Sequence, residues 1–241
     1  IPFSYTAPQS YIETNINGTL NILEAARKHQ TRRTVLTSTS EVYGTARYVP
    51  IDEEHPLQAQ SPYSASKIAA DMLGTSYHRS FALPVTIVRP FNTYGPRQSL
   101  RAVIPTIIAQ ALQGNRIKLG DLRPVRDFNF VADTVAGFIA AGAKAQGNAE
   151  IYNLATERAL TISDTAAAIA KLIGTHITIE HETTRDRPPA SEVMRLLGSA
   201  RKASAEIGWQ PTRSLEEGLI QTIDFVRQHL EKYSGAAEFK S

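Results

Sequence analysis

The stretch TVLTSTSEVYG, residues 34–44, passes from a short apolar segment into hydroxyl residues and a carboxylate. Val35-Leu36-Thr37 reads as a short buried strand. A strand that ends in Ser38, Thr39, Ser40 and Glu41 carries polar side chains where open α/β sheets bind ligands, beyond the carboxyl ends of their strands. On either side of it lie helical patterns. Ile12, Ile16, Leu20 and Leu23 recur at helical spacing within residues 8–28. Residues 45–60 read as a surface loop, and Ser61-Pro62 supplies an N-cap and a first-turn proline for a helix to Phe81. Val85-Thr86-Ile87-Val88 is β-branched enough for a buried strand.

The same alternation continues. Helices are expected over 101–113, 132–143, 163–173 (opened by Ser163) and from Leu215 onward, with strands at 117–119, 151–154 and 177–180. Strands alternating with helices predict an α/β fold with a mostly parallel sheet.

Composition excludes several function classes. The 241 residues hold 26 basic and 23 acidic side chains, a formal net charge of +3. The bases are scattered, so they read as solvated surface and a few anion ligands; no nucleic-acid partner is expected. There is no cysteine, and the six histidines lack paired spacing, so no metal site is expected. No apolar run approaches the ~20 residues of a membrane span. A cytoplasmic protein is the default expectation.

The second informative stretch is SPYSASK, residues 61–67. Tyr63 and Lys67 stand four apart on a helix and share a face. An ammonium beside a phenol favours the phenolate, lowering a pKa ordinarily near 10, so that tyrosine can take a proton from a sugar hydroxyl. The spacing alone is weak, because many exposed helices carry it. Its context is what distinguishes it: Thr39 lies 24 positions before Tyr63, and VRPFNTYGPRQ, residues 88–98, closes the next strand.

Eight ordered blocks resemble the extended short-chain dehydrogenase/reductase superfamily: YIETNINGTLNILEAA, TSTSEVYG, SPYSASK, VRPFNTYGPRQ, VRDFNFVADT, YNLAT, RDRP and EIGWQPTRSLEEGL. The likeness spans essentially the whole chain and implies an α/β architecture with a partial NAD-binding Rossmann-like domain over 1–115, carrying the catalytic residues, and a mainly substrate-binding lobe over 116–241 that returns strand 151–154 to the sheet. Within that superfamily the sugar 4,6-dehydratases carry a Glu at the position of Glu41, and the sequence looks most like those acting on UDP-N-acetylglucosamine. The resemblance implies NAD as cofactor and a nucleotide-diphosphate sugar as substrate. It implies that Tyr63 takes the C4 hydroxyl proton, that Thr39 hydrogen-bonds the same oxygen, and that Glu41 removes the C5 proton. Ser40 is a departure, because deoxythymidine-diphosphate-glucose dehydratases carry Asp there; a serine is a poor general acid, which leaves Glu41 to serve as base and acid. Tyr63, Lys67 and Pro90 fall on the nicotinamide side. Arg126 and Arg187 match positions at the substrate diphosphate or nucleoside, Asn92 another substrate contact, and Arg101 a weaker one. A homodimer through helices 8–28 and 61–81 is implied too.

Other readings remain. Glu41 could cap a loop, and Arg126 could pair with Asp127 or Asp133. Tyr5, Tyr11, Tyr77 and Trp209 are expected to pack rather than bind. GDP-mannose 4,6-dehydratase, UDP-glucuronate decarboxylase and UDP-sugar C4 epimerase are the competing activities, although an epimerase has little use for Glu41. A catalytically silent binding protein of the same fold is the non-enzyme alternative. The chain starts Ile1-Pro2-Phe3 and holds no G-x-x-G-x-x-G turn. The expectation is therefore a fragment lacking roughly 80 residues, two to three strand–helix units of ~30 residues each, that alone is inactive and holds NAD weakly.

Overall fold

Ser61 does what its position suggests. In the computed structural model, which describes residues 1–234, its hydroxyl accepts from the Ser64 amide at 3.1 Å and Ser64 Oγ accepts from the Ser61 amide at 3.0 Å. This reciprocal cap satisfies two donors that a helix start leaves open. The helix ends where Ala82 turns left-handed, at φ 53°.

In chain order the elements are α1 (Phe3–Thr6), α2 (Pro8–Tyr11), a π-helical turn Ile12–Asn17, and α3 (Gly18–Lys28). Then come β1 (Thr34–Thr37), a 3₁₀ turn Ser40–Tyr43, α4 (Pro62–Phe81), β2 (Val85–Pro90), β3 (Asn92–Tyr94) and α5 (Val103–Gln113). They are followed by β4 (Arg116–Leu119), β5 (Val125–Arg126), β6 (Phe128–Phe130), α6 (Val131–Lys144), β7 (Asn148–Leu154) and β8 (Leu160–Thr161). The last are α7 (Ile162–Ile173), β9 (Thr178–His181), α8 (Leu215–Gln228) and α9 (Leu230–Ser234).

The central sheet has the order β1-β2-β7, all parallel, with Thr37 beside Val88 and Arg89 beside Asn153. Val85 and Ile87 bury on one face with Leu23, Ala26 and Tyr77 of α3 and α4. Val88, Tyr152 and Leu154 bury on the other with Ala141 of α6 and Trp209. A strand covered on both faces reads as a continuous apolar run, as β2 does. Parallel direction brings the ends of β1 and β2 to one edge, so Ser38–Glu41 and Asn92 emerge together. A second core, including Ile104, Ile107, Phe128, Ile169 and Leu219, is built by α5, α7 and α8 against β3–β6 and β4–β9.

Two local expectations fail. Residues 8–28 are helical, but the π turn at Ile12–Asn17 changes the phase, so Ile12 and Leu20 are exposed while Leu23 is fully buried. Ser163 does not open α7; Thr161 caps it, accepting from the Asp164 amide at 2.9 Å, because Asp164 answers from the third helical position. Among the described residues no helix is long and apolar enough to cross a membrane, and no His/Cys/Asp/Glu group could hold a metal ion.

Candidate active site

Past Thr37 the chain keeps one more ladder bond, Ser38 N–H to the Val88 carbonyl at 2.8 Å, and then turns. Thr39 is extended and caps the 3₁₀ turn, its Oγ1 accepting from the Glu41 amide at 3.3 Å. The turn closes at Gly44, whose φ is 62°; a Cβ there would come within 2.8 Å of the Gln58 carbonyl. Only glycine fits that conformation and that approach. Thr39, Ser40 and Glu41 are all buried. No hydrogen bond or ion pair among the described residues engages the Glu41 carboxylate. A buried carboxylate without a partner is costly unless a ligand meets it, which separates Glu41 from a loop cap.

Tyr63 enters from the first turn of α4. Its phenol lies against the Thr39 hydroxyl, and its ring meets Tyr11 edge-on with centroids 5.9 Å apart. Burial pushes the phenol up from its ordinary value; the Thr39 hydrogen bond opposes the rise, and the Glu41 charge adds to it. This corrects the expected lowering by Lys67. The ammonium donates instead to the Thr37 carbonyl, and loss of water around the phenolate outweighs what remains of its field. Burial pushes Lys67 down, with Asp71 opposing.

Sequence reasoning missed what lies beneath this pair. Asp71, one turn after Lys67, accepts from Ser38 Oγ at 2.8 Å and from Arg89 Nε and Nη2 at 3.1 and 3.0 Å. Arg89 also donates to the Tyr43 hydroxyl at 2.9 Å, which donates to Asn153 Oδ1 at 2.8 Å. Asp71 and Arg89 are 2% and 1% exposed, so the network is closed to water. The sequence hint was an arginine inside the otherwise buried strand β2.

On the lobe side, Arg126 is buried and burial pushes its guanidinium down, with the Glu41 charge opposing. The expected alternative partners prove wrong. Arg126 pairs with Glu192 at 3.0 Å and donates to the Val193 carbonyl at 2.7 Å. Asp127 instead accepts from the Thr156, Glu157 and Gly198 amides, and Asp133 from Thr212 and the Arg213 amide. Arg187 reaches the same Glu192 oxygen at 3.6 Å, and its buried Nη1 makes no hydrogen bond. Two guanidiniums around one carboxylate leave a positive excess beside Glu41. Asn92 adds a buried Oδ1 without a partner, Pro90 closes β2 beside Leu154, and exposed Arg101 lies over the Phe3 ring at 5.7 Å. Among the residues expected to pack, Tyr77 and Trp209 are buried, whereas Tyr11 touches Tyr63 and the Tyr5 hydroxyl meets Ser191 Oγ at 2.6 Å.

Residues 1–222 match the family model described as GDP-mannose 4,6 dehydratase. The chain belongs to that family of nucleotide-sugar dehydratases and epimerases. Among its relatives, a dTDP-glucose 4,6-dehydratase of Streptomyces antibioticus is 34% identical over 228 residues, covering 94% of this chain and 67% of that one. A UDP-glucose 4-epimerase of Mycolicibacterium smegmatis is 33% identical over 218 residues, 88% of this chain and 68% of that one. A solved dTDP-glucose 4,6-dehydratase of Bacillus anthracis in complex with NAD superimposes with a TM-score of 0.83 at 31% identity, covering 91% of this chain and 70% of that one. The chain thus spans about two thirds of the length of the curated relatives it matches, and its central sheet is of their Rossmann-like type.

Proposed function

We propose that this protein is an NAD-dependent nucleotide-sugar 4,6-dehydratase acting on a UDP-N-acetylhexosamine, with Thr39, Ser40, Glu41, Tyr63 and Lys67 as its catalytic residues. One observation carries the choice over epimerisation: Glu41 is a buried carboxylate, unengaged by protein, on the turn that also brings Thr39 to the Tyr63 phenol. An epimerase needs the tyrosine but no second base. The GDP-mannose, UDP-glucuronate and C4-epimerase readings remain alternatives that product analysis separates.

The residues fit the nicotinamide end of NAD. An ammonium and a phenol stand at the carboxyl edge of a parallel sheet, with Pro90 at the end of the neighbouring strand. Lys67, Tyr63 and Pro90 would hold it there, and when bound it supplies hydride acceptance at C4 and hydride return at C6. Tyr63 takes the C4 hydroxyl proton while Thr39 keeps that oxygen oriented. Burial holds the phenol up, so Tyr63 becomes an effective base only where a neighbouring positive charge such as the Lys67 ammonium favours its phenolate. A C4 carbonyl acidifies the C5 hydrogen, which Glu41 removes. Because Ser40 cannot donate a proton as a carboxylic acid would, Glu41 returns its proton to the departing C6 hydroxyl, which leaves as water; as hydride returns to C6 a proton returns to C5, balanced by the one Tyr63 took from the C4 hydroxyl. Arg126 and Arg187 take the diphosphate, whose charge matches their excess, and Asn92 turns its free Oδ1 to substrate.

We infer a homodimer through α3 and α4, whose surface carries exposed Leu20, Ile22, Met72 and Phe81. Incubation of the complete protein with NAD⁺ and a panel of UDP-, GDP- and dTDP-sugars tests the activity. A 4-keto-6-deoxy product from a UDP-N-acetylhexosamine is expected; carbon dioxide release or a C4 epimer as the sole product refutes the assignment.

A further inference from the structure

We propose that Asp71 is a positioning residue for the Tyr63–Lys67 pair: clamped by Arg89 and Ser38, its carboxylate keeps Lys67 charged and pins the end of β1 to α4. The inference rests on the catalytic reading of that pair but concerns a residue that touches neither substrate nor cofactor. Lys67 and Asp71 stand four apart on α4 and so share a face. Lys67 donates to the Thr37 carbonyl and Asp71 accepts from Ser38, the next residue, so both side chains grip one strand end. That strand end carries Thr39 and Glu41. A shift of the Ser38 anchor therefore moves the base and the phenol's hydrogen-bond partner together.

Charge follows the same geometry. Lys67 sits where burial disfavours the ammonium, and a buried carboxylate one helical turn away opposes that loss. Other titratable groups at this corner are Tyr63 on α4, Arg89 from β2 and Glu41 beyond β1. Arg89 does not compete for the role, because its guanidinium is committed to Asp71 and to the Tyr43 hydroxyl. It is the counter-charge to Asp71 and opposes the rise that burial imposes on that carboxyl. Asp71 thus faces two cations and divides its field between a structural and a functional one.

The test reads Lys67 directly, without cofactor. Lysines carrying ¹³C-methyl groups are titrated by NMR, with the Lys67 signal assigned through Lys67→Arg. Asp71→Asn is expected to move the Lys67 midpoint down by about one pH unit, and Asp71→Glu to restore most of it. Asp71→Asn strands Arg89, so the charge-free pair Asp71→Asn/Arg89→Met is measured beside it and is expected to show the same lowered midpoint. Ser38→Ala is the mild variant that keeps the fold: amide exchange at Ser38 should accelerate about tenfold while global stability changes little. An unmoved Lys67 midpoint in the folded Asp71 variants, or unchanged exchange in Ser38→Ala, overturns the proposal. If the midpoint moves yet Tyr63→Phe still forms product at the normal rate, the catalytic reading falls and the role of Asp71 toward Lys67 stands.

Discussion

Two helical glycines should respond oppositely to the same substitution. In α8, a Cβ on Gly218 would lie 2.2 Å from Tyr94 Oη, 2.9 Å from Tyr94 Cζ and 2.8 Å from Phe130 Cδ2. In α6, a Cβ on Gly142 would meet only Val35 Cγ2 at an ordinary 3.8 Å. Alanine is about 1 kcal/mol better than glycine inside a helix. At Gly142 nothing opposes that gain, and stabilisation by about 0.5–1 kcal/mol is expected. At Gly218 the Tyr94 ring cannot step aside freely. It is 2% exposed, boxed edge-on by Phe128 and Phe130 at 6.3 and 5.7 Å, and its hydroxyl donates to the Leu215 carbonyl at 3.1 Å. Overpacking costs about 1–3 kcal/mol, and the displaced hydroxyl adds about 1 kcal/mol. After the helical gain is subtracted, Gly218→Ala should destabilise by about 2 kcal/mol. Urea unfolding followed through Trp209, the only tryptophan, reads both. A Gly218→Ala protein as stable as its parent would mean that α8 does not press on Tyr94, and that β3, with Asn92 at its head, is held some other way.

Three further outcomes follow from the site. Glu41→Gln should leave slow C4 oxidation but reduce water loss by a factor of about 10²–10⁴, the usual worth of a general base; formation of the 6-deoxy sugar at near-normal rate in a coupled assay removes Glu41 from that role. Arg126→Lys keeps the charge but loses the fork that spans Glu192 and Val193. UDP affinity by calorimetry should fall roughly tenfold to a hundredfold, the worth of a charge-assisted hydrogen bond, and a change below twofold places the diphosphate elsewhere. Burial pushes Asp127 up to about 6 against the donors of Thr156, Gly198 and Glu157. The folded chain therefore takes up that proton before the unfolded chain does, and the stability Asp127 contributes is fullest at acid pH and is lost as pH rises through about 6. Between pH 7 and pH 5 the protein should gain about 1 kcal/mol relative to Asp127→Asn in chemical denaturation; a flat difference refutes the shift.

What could be read in the sequence was what is written locally. β1, α4 and β2 announce themselves through a cap, a first-turn proline and β-branched runs, and the parallel order of the sheet follows from their alternation. β3, β5, β6 and β8 are only two or three residues long, too short for any periodicity to show. The π turn at Ile12–Asn17 breaks a helical spacing that the apolar residues alone suggest. Ser163 looked like a cap because hydroxyls cap helices, yet the reciprocal partner Asp164 sits at the right distance only for Thr161. In the site, Tyr63, Lys67, Thr39 and Glu41 were legible because they lie on strand ends and one helix turn. Glu192 was not, since its meaning arises from a separation of 66 residues to Arg126, and Asp71 takes its meaning from contacts with Arg89 on β2 and Ser38 just past β1 that no local pattern shows.

These two hidden acids divide the electrostatics of the site between them. Asp71 lies one helical turn from Lys67 and has its own buried arginine partner, Arg89. Glu192 faces two arginines and is more exposed, at 13%, so in the proposed complex a diphosphate would draw on Arg187, whose Nη1 has no hydrogen bond to give up. Glu41 lies between these regions, its charge acting on both the Tyr63 phenol and the Arg126 guanidinium. On the proposed reading, substrate anchored on Arg126 and Arg187 would enter against Glu41, a buried carboxylate that no hydrogen bond or ion pair among the described residues engages. Binding energy gained at the diphosphate would then offset the desolvation of Glu41 beside the sugar, where that reading needs a base for C5.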